Sequence, residues 1–325
     1  MELLKIKKLP KIELHCHLDG SMPVGLIKEL SQDATILADQ LQAPKDCGSL
    51  KEYLERFSIP LRCLRTAEGL EAAGRGLLED VSKENVKYIE VRFAPMLSAH
   101  EGFSCRQVID SVLRGLEKGY RQYGVHYNVI VCAMRHHSIE QNLTMLKEAR
   151  ERLGEGVCAL DLAGDEAAFE TSGFRELFVR AAKWDMPFTI HSGECGSVAN
   201  VKEAFELGAK RIGHGIALQK DKELMKKFAD HKTGIEMCPT SNLQTKAVER
   251  WEEYPLLMYL QKGLKVSVNT DNRTVSNTTM TKELELVYKS CDYNNDIIFQ
   301  LLRNAVETSF ADDNLKNKWM RELNY

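Results

Sequence analysis

Two histidines, His15 and His17, end an apolar, strand-like run near the start of the chain. Side chains two positions apart on a β-strand point to the same face, so both imidazoles face one side of the strand. This is the spacing by which a strand presents two nitrogen ligands to a metal ion. Such pairs are also common as ordinary polar residues, so a metal site requires further ligands from elsewhere in the chain.

Three later segments could supply those ligands, because each also follows a short apolar or β-branched run: His191-Ser192-Gly193-Glu194, Gly213-His214-Gly215 and Asn269-Thr270-Asp271-Asn272. We interpret His191 as a third nitrogen ligand and Asp271 as an oxygen ligand. Three imidazoles and one carboxylate, with a position left for water, are typical of a catalytic zinc site, and ligands from several strand ends are typical of a barrel enzyme. No cysteine belongs to this set, which excludes a zinc finger or ribbon.

Three further residues of these segments are candidates for chemistry beside the metal. Glu194, three residues after His191 in a glycine-containing turn, suits proton transfer to a ring nitrogen or from water, although it could instead be a carboxylate at a helix start. His214 could orient the attacking hydroxide or be a fourth nitrogen ligand, and the spacing leaves both open. Asn272 points to the opposite side from Asp271 and could face a substrate.

Strand-like runs alternate with helical patterns along the chain, as a barrel requires. The strand-like runs are 12–17, 86–93, 125–134, 157–162, 187–191, 211–214, 234–238 and 265–269. The helical patterns are 105–123, 139–153, 173–184, 198–207, 222–228, 255–262 and 281–290. Eight such units in this length predict an α/β fold of the (β/α)8 TIM-barrel type rather than an open doubly wound sheet. Nothing marks a domain boundary, so residues 1–325 are predicted to form one barrel domain.

Two segments depart from this alternation. Residues 22–84 are almost wholly helical and form an insertion after the first strand, and residues 296–323 add at least two helices after the last strand. Within the insertion, four apolar residues have the spacing of one helix face: Leu50, Tyr53, Leu54 and Phe57. They could pack on the barrel or form a lid over a flat ligand, and insertion at the catalytic end favours the lid.

The composition excludes several other classes of protein. The chain has 325 residues, 43% of them hydrophobic, and can bury roughly three quarters of its unfolded surface. A formal net charge of −3 gives no electrostatic footprint for nucleic acid or an anionic membrane. There is no signal-peptide pattern and no apolar run long enough for a membrane span. The 9 scattered cysteines, without a Cys-x-x-Cys pair, predict reduced thiols and a cytoplasmic location.

Two absent motifs narrow the metal chemistry. Binuclear amidohydrolase sites usually need a carboxylated lysine from the fourth strand, but that strand ends Ala159-Leu160-Asp161-Leu162-Ala163-Gly164. A single metal is therefore favoured. The cytidine-deaminase pattern, His-x-Glu followed by Pro-Cys-x-x-Cys, is also absent.

Six separated motifs closely resemble those of the adenosine deaminase family, in the same order and over about residues 10–310. They are Glu13-Leu14-His15-Cys16-His17-Leu18-Asp19-Gly20-Ser21, Met134-Arg135-His136, Leu162-Ala163-Gly164-Asp165-Glu166, His191-Ser192-Gly193-Glu194, Arg211-Ile212-Gly213-His214-Gly215 and Ser267-Val268-Asn269-Thr270-Asp271. The resemblance implies one Zn²⁺ per chain, bound by His15, His17, His191 and Asp271. It also implies hydrolytic deamination of adenosine to inosine and ammonia, a reaction of purine salvage.

The resemblance further assigns contacts to the substrate. Glu194 would protonate purine N1, and His214 with Asp271 would position and deprotonate the attacking water. Gly164 would meet purine N3 through its backbone, Asp19 would accept hydrogen bonds from the ribose hydroxyls, and His17 would also face the substrate. The apolar face of the insertion would match the family's lid.

Three residues depart from the family pattern. Ser192 stands where alanine is frequent, a small change that we expect to be tolerated. Asn272 and Arg273 replace the second aspartate and the proline of an Asp-Asp-Pro ending. In the family the second aspartate donates to purine N7, which requires a protonated carboxyl. An asparagine amide donates without taking up a proton, so we expect Asn272 to preserve this contact.

Asp19 favours a nucleoside, adenosine or 2′-deoxyadenosine, because relatives that act on free adenine tend to carry glutamate there. AMP is disfavoured, since no Arg/Lys cluster accompanies the motifs. The alternatives are deamination of adenine or of a modified 6-aminopurine nucleoside, another mononuclear hydrolase on the same barrel, and a silent barrel that binds nucleoside as a sensor. The oligomeric state is not predicted.

Overall fold

Eight parallel strands follow one another around a closed barrel in this computed structural model, which describes residues 4–44, 47–48 and 50–323, without the side chains of residues 50 and 51. The strands are β1 Lys11–His17, β2 Val86–Phe93, β3 His126–Met134, β4 Val157–Ala163, β5 Thr189–Ser192, β6 Arg211–His214, β7 Gly234–Met237 and β8 Lys265–Val268. They pair in order as two four-stranded sheets, β1 to β4 and β5 to β8.

Two sets of backbone contacts join these sheets. Leu160 of β4 pairs with Phe188, directly before β5, and Cys16 of β1 pairs with Asp271, just after β8. At the second junction the Asp271 N–H donates to the His15 carbonyl at 2.8 Å, and the His17 N–H donates to the Asp271 carbonyl at 2.7 Å. The sheet is therefore closed, which confirms the predicted (β/α)8 fold. The closure also places the residues after β8 directly beside the end of β1.

Fifteen α-helices are assigned within the described residues. They are α1 Val24–Ser31, α2 Leu50–Leu54, α3 Ser58–Cys63, α4 Ala67–Ser82, α5 Pro95–Ser98, α6 Cys105–Tyr123, α7 Ile139–Arg150, α8 Arg175–Lys183, α9 Val198–Glu206, α10 Lys222–His231, α11 Pro239–Gln244, α12 Leu256–Gln261, α13 Met280–Ser290, α14 Asn295–Thr308 and α15 Asp313–Glu322. The two helices expected near the end of the chain are α14 and α15.

Element bounds differ from the prediction where local chemistry overrides the hydrophobic pattern. β5 begins at Thr189 rather than at residue 187, because Pro187 has no N–H to give to a neighbouring strand. The helix predicted over 173–184 is a 3-10 helix, Thr171–Phe174, followed by α8. α6 begins where predicted, because Ser104 and Gln107 form a reciprocal capping box at its N-terminus.

Helix α4 attaches the insertion to the outside of the barrel by packing closely on α6. A Cβ atom at Gly115 of α6 would lie 2.2 Å from the carbonyl oxygen of Glu71 in α4, so only glycine permits this approach. Apolar residues of both helices, among them Leu77 and Leu116, belong to the main hydrophobic core. The insertion is thus fixed at its C-terminal helix, while α2 and α3 lie nearer the barrel opening. No described helix has the length and apolar character of a membrane span.

Candidate active site

Four side chains converge where β1, β5 and β8 end at one mouth of the barrel: His15, His17, His191 and Asp271. Their ligand atoms all lie within 4.8 Å of one another. Nε2 of His17 is 3.1 Å from Nε2 of His191. Asp271 Oδ1 lies 3.5 Å from Nε2 of His15 and 3.4 Å from Nε2 of His17. The four residues predicted as metal ligands are therefore brought together, although they are up to 256 positions apart in the chain.

Buried carboxylates orient two of these imidazoles. Nδ1 of His15 lies 2.8 Å from Glu236 Oε2. Nδ1 of His191 lies 2.9 Å from Asp161 Oδ2, the distance of an ion pair although not the angle of a linear hydrogen bond. A ring nitrogen that faces a carboxylate carries the proton, so Nε2 keeps its lone pair for a metal. Nε2 of His15 is buried and has no hydrogen-bond partner among the described residues. The donor set therefore fits a divalent cation such as zinc.

Arg92 of β2 joins the two carboxylates beneath the histidines. Its Nη1 donates to Asp161 Oδ2 at 2.9 Å, and its Nη2 donates to Glu236 Oε2 at 2.7 Å. Arg211 Nε also donates to Glu236, at 2.6 Å. Burial alone would raise the pKa of both carboxyls, but the neighbouring cations outweigh it and hold each pKa well below its ordinary value. The carboxylates thus stay ionised and keep a proton on the nitrogen that faces them.

Asp271 and His214 have strained backbones beside the site. Their φ angles are 60° and 62°, in the left-handed region that residues with a Cβ atom rarely adopt. Ser241 Oγ donates to Asp271 Oδ2 at 2.6 Å, which leaves Oδ1 facing the histidines. Burial holds the pKa of His214 well below its ordinary value, so its ring is neutral. Strain of this kind is retained where neighbouring contacts hold functional side chains in place.

Glu194 lies in the loop after β5, with Oε2 3.5 Å from Nε2 of His214. Burial raises the pKa of its carboxyl to about 8, so the group holds a proton at neutral pH. A second carboxylate, Glu166, fixes the loop by accepting the N–H of Gly193 at 2.6 Å and the N–H of Cys195 at 3.1 Å. A protonated carboxyl that lines a cavity beside four groups able to hold a metal is arranged as a general acid.

His17, His191, His214, Asp271 and Glu194 face one cavity of about 360 Å³, and His15 lies buried behind them. Its apolar lining comes mainly from the insertion and from the loop after β2: Tyr53, Leu54, Phe57, Leu61, Ala94 and Leu97. Its polar lining includes Asp19, His136, Glu194, His214, Asp271 and Asn272. Among the described residues, no lysine or arginine lines it. A pocket of this size with a few convergent polar groups is typical of a small-molecule site.

The predicted lid residues lie in this cavity wall, as far as the structure describes them. The side chain of Leu50 lies outside the described residues. Tyr53 is 2% exposed, and its hydroxyl lies 2.7 Å from Ser276 Oγ. Leu54 is 45% exposed at the mouth. Phe57 ends a 3-10 helix that continues from α2, so the predicted single helix is two short ones.

Asp19 and Gly164 lie on the cavity wall at the ends of β1 and β4. Burial raises the pKa of the Asp19 carboxyl to about 6, and its Oδ1 has no hydrogen-bond partner among the described residues. Gly164 has a φ of 105°, which a residue with a Cβ atom would adopt only with strain. Both residues therefore line the cavity, at the positions that the resemblance assigns to substrate contacts.

The side chains of Asn272 and Arg273, two of the residues that depart from the family pattern, point in different directions. Asn272 lines the cavity and packs on Gly20, where a Cβ atom would lie 1.9 Å from Asn272 Oδ1. Arg273 points away and forms ion pairs with the partly exposed Asp80 at 2.9 Å and with the buried Glu84 at 2.6 Å. The arginine thus anchors the loop after β8 to the C-terminal end of α4, and only the asparagine amide faces the cavity.

A comparison with known proteins identifies the family. The family model described as adenosine deaminase matches residues 10–324. The adenosine deaminase of Clostridium perfringens is 41% identical over 325 aligned residues, which cover 97% of this chain and 98% of that protein. The chain belongs to the adenosine deaminase family. It is accordingly an enzyme, a deaminase of the hydrolase class.

Solved structures related to this deaminase share its fold. The adenine deaminase of Arthrobacter aurescens has a TM-score of 0.88 at 24% identity, over 97% of this chain and 98% of that one. The N6-methyl-AMP deaminase of Arabidopsis thaliana has a TM-score of 0.85 at 25% identity, over 98% of this chain and 97% of that one. Both likenesses extend over nearly the whole chain and agree with the (β/α)8 barrel.

The residues that hold the deaminase site from behind were not predicted from the sequence. Asp161, Glu236 and Arg92 were not singled out, and neither were Glu166 and Asn242. The available signal was a charge inside an otherwise apolar strand, as for Asp161 in Val157–Ala163. A charged side chain in a fully buried strand needs a partner, and here the partners are arginines and the histidines predicted as metal ligands. Which partner each one meets depends on pairings between distant strands.

Proposed function

We propose that this chain deaminates adenosine, and 2′-deoxyadenosine as well, to inosine or its 2′-deoxy form with release of ammonia. The observation that carries the proposal is the single cavity in which a protonated Glu194 faces three imidazoles and Asp271. The Clostridium perfringens relative, 41% identical and called an adenosine deaminase, supports the choice of substrate. We assign the reaction to purine salvage, and the free thiols of all 9 cysteines suit the cytoplasm.

We propose one zinc ion per chain, bound by His15, His17, His191 and Asp271. Zinc binds histidine nitrogen and carboxylate oxygen in catalytic sites, and the carboxylates behind His15 and His191 are the usual partners of ligating imidazoles. When bound, zinc acts as a Lewis acid that lowers the pKa of water to roughly 7. We further propose that residues 1–325 form one domain, because the main hydrophobic core includes residues from Ile6 to Leu323.

The side chains then divide the proton transfers among themselves. Glu194 holds a proton at neutral pH and is placed to give it to purine N1, which makes C6 electrophilic. His214 and Asp271 position the water and remove its proton as its oxygen bonds to C6. The proton taken from the water passes to the amino group, the bond from C6 to that nitrogen breaks and ammonia leaves. The C6 hydroxyl gives up its proton as the carbonyl forms, which restores the Glu194 carboxyl. Transfer by a positioned acid contributes typically about 10²–10⁴-fold to rate.

Substrate recognition uses the remaining polar groups of the cavity. We assign purine N3 to the Gly164 backbone, purine N7 to the Asn272 amide, and the ribose hydroxyls to Asp19, with His17 also facing the sugar. The insertion covers the apolar faces of the ligand with Tyr53 and the neighbouring lid residues. Because carboxylates and no cation line the cavity among the described residues, a nucleoside is favoured over a nucleotide.

Ultraviolet absorbance of the zinc-loaded protein with adenosine, 2′-deoxyadenosine, adenine and AMP in parallel tests the proposal. We expect rapid loss of adenosine and 2′-deoxyadenosine and little change in the other two. A Glu194→Gln variant controls for a contaminating deaminase, since it should lose activity on both nucleosides. Preferred turnover of adenine would overturn the role given to Asp19, and preferred turnover of AMP would overturn the argument from the cavity's charge.

A further inference from the structure

Two buried polar residues link His214 to the outer part of the barrel. The hydroxyl of Tyr254 donates to Oδ1 of Asn242 at 3.0 Å. Nδ2 of the same amide lies 3.0 Å from Nδ1 of His214. Asn242 is fully buried in α11, and His214 is 1% exposed at the end of β6. In this series of hydrogen bonds, which partner donates and which accepts decides which nitrogen of His214 is protonated.

Tyr254 determines which way round the Asn242 amide lies, and so which partner donates in each of the two hydrogen bonds. Its hydroxyl carries one proton and two lone pairs. That proton is donated to Asn242 Oδ1, the one acceptor that the structure gives it among the described residues. If the amide were reversed, its NH2 group would face the tyrosine oxygen, and the hydroxyl proton would have no acceptor among the contacts described for it. A buried donor without an acceptor is unfavourable, so the amide oxygen faces Tyr254.

With its oxygen toward Tyr254, the amide must present an N–H to His214. Nδ1 of His214 therefore accepts a hydrogen bond and carries no proton, so the ring's proton lies on Nε2. We propose that Asn242, held by Tyr254, is a positioning residue that fixes His214 as the Nε2–H tautomer. Nε2 is the nitrogen that faces the cavity, 3.5 Å from Glu194 Oε2.

This tautomer separates the roles of two residues that we assigned jointly to the attacking water. A neutral His214 with its proton on Nε2 donates a hydrogen bond into the cavity and has no lone pair there to accept a proton. The proton that leaves the water then passes to the Asp271 carboxylate, and His214 orients the water oxygen. This division of roles rests on the proposed function, whereas the tautomer itself is a property of the folded chain.

Nuclear magnetic resonance of the zinc-loaded enzyme, labelled with ¹⁵N in its histidines, measures the tautomer directly. A protonated and an unprotonated ring nitrogen have well-separated ¹⁵N shifts, and a His214→Gln variant identifies the signals of His214. We expect Nε2 of His214 to be protonated and Nδ1 to be unprotonated. The opposite pattern in the wild-type enzyme would overturn the proposal, and this result does not depend on any variant folding.

Three variants test the cause of the tautomer. Asn242→Asp replaces the N–H donor by an acceptor, so Nδ1 of His214 should become protonated. Tyr254→Phe releases the amide, so the Nδ1 signal should move toward the protonated position. Tyr259→Phe is the matched control, because Tyr259 is also buried and donates to the Gly215 carbonyl at 2.8 Å without contacting Asn242. We expect no change of tautomer in the control.

Failure of the tautomer proposal can be told apart from failure of the proposed function. An unprotonated Nδ1 that persists in Asn242→Asp, or an equal change in Tyr259→Phe, would contradict a role for this hydrogen-bond chain. If the tautomer responds as expected, kcat for adenosine should fall about tenfold in Asn242→Asp with little change in KM, because orientation matters most in the transition state. A wild-type enzyme that shows the expected tautomer but leaves adenosine unchanged would refute the proposed substrate alone.

Discussion

The two walls of the cavity are held in different ways. On the barrel side, His15 and His191 lie on β1 and β5, at opposite sides of the closed sheet, and each is backed by a fully buried carboxylate. On the insertion side, Tyr53 is joined to the loop after β8 by one hydrogen bond to Ser276. It also packs with Val275 in a small apolar cluster that is separate from the main core.

This difference matches what each wall has to do. Metal ligands and proton donors need positions held to fractions of an ångström, which strands and buried ion pairs provide. The insertion wall is built instead from short helices, the kind of segment that closes over substrates in many enzymes. Substitutions in the barrel wall should therefore act on metal binding and kcat, and those in the insertion wall should act on KM.

The largest effect is expected when a metal ligand is removed from the barrel wall. His191→Ala should lose zinc and should reduce kcat/KM by a larger factor than loss of a general acid. A general acid contributes about 10²–10⁴-fold to the rate. Zinc content by elemental analysis and adenosine turnover measure both effects. His136→Ala, a histidine of the same cavity outside the ligand set, should keep its zinc. Equal loss of zinc in both variants would contradict the assigned ligands.

Glu194 should affect the rate without affecting the metal. Glu194→Gln cannot give a proton to N1, and we expect kcat to fall about 10²–10⁴-fold with zinc content unchanged. In the wild-type enzyme the protonated carboxyl is the active form, and burial raises its pKa to about 8. Accordingly kcat/KM should decrease as pH rises through about 8. A profile that rises through this range would exclude Glu194 as the acid.

The carboxylates behind the histidines should tune the metal. Asp161→Asn removes the charge that faces Nδ1 of His191, and zinc affinity should fall about 10–100-fold. Competition with a chelator of known affinity measures the change. Asp165→Asn is the control, because this carboxyl caps the N–H groups of Ala167 and Ala168 and does not face a ligand. Equal affinities for the two variants would argue against a positioning role for Asp161.

Asn272 should contribute one hydrogen bond to the purine. Asn272→Ala is expected to lower kcat/KM for adenosine about 2- to 10-fold, the worth of a hydrogen bond of about 0.5–1.5 kcal/mol. The carboxyl of an Asn272→Asp variant can donate to N7 only when it is protonated. The loss of kcat/KM in this variant should therefore grow as pH rises. Unchanged kcat/KM in Asn272→Ala would remove this residue from the recognition of N7.

The smallest effect is expected at the insertion wall. Tyr53→Phe and Ser276→Ala each remove the bond between Tyr53 and the loop after β8, and KM for adenosine should rise about 2-fold with kcat nearly unchanged. Because both variants break the same bond, the double variant should resemble either single one. A large fall in kcat would show that this wall helps to hold the reacting groups. That result would contradict the division of roles between the two walls.

The residues that face the cavity could be predicted from the sequence, but the buried residues that hold them in place could not. His15 and His17 could be placed because period two fixes a common face, and His191, His214 and Asp271 each follow an apolar run. The partners behind them depend on long-range pairing. Glu236 is 221 residues from His15, and Arg273 is 193 residues from Asp80, so no local spacing connects them.

Zinc titration of chelator-stripped enzyme, followed by the rate of adenosine deamination, tests the central claim most directly. If His15, His17, His191 and Asp271 hold the one metal on which the reaction depends, stripped enzyme should be inactive. The rate should then rise in proportion to added zinc and reach a plateau at one equivalent per chain. Full activity of the stripped enzyme, or a plateau at two equivalents, would contradict the account.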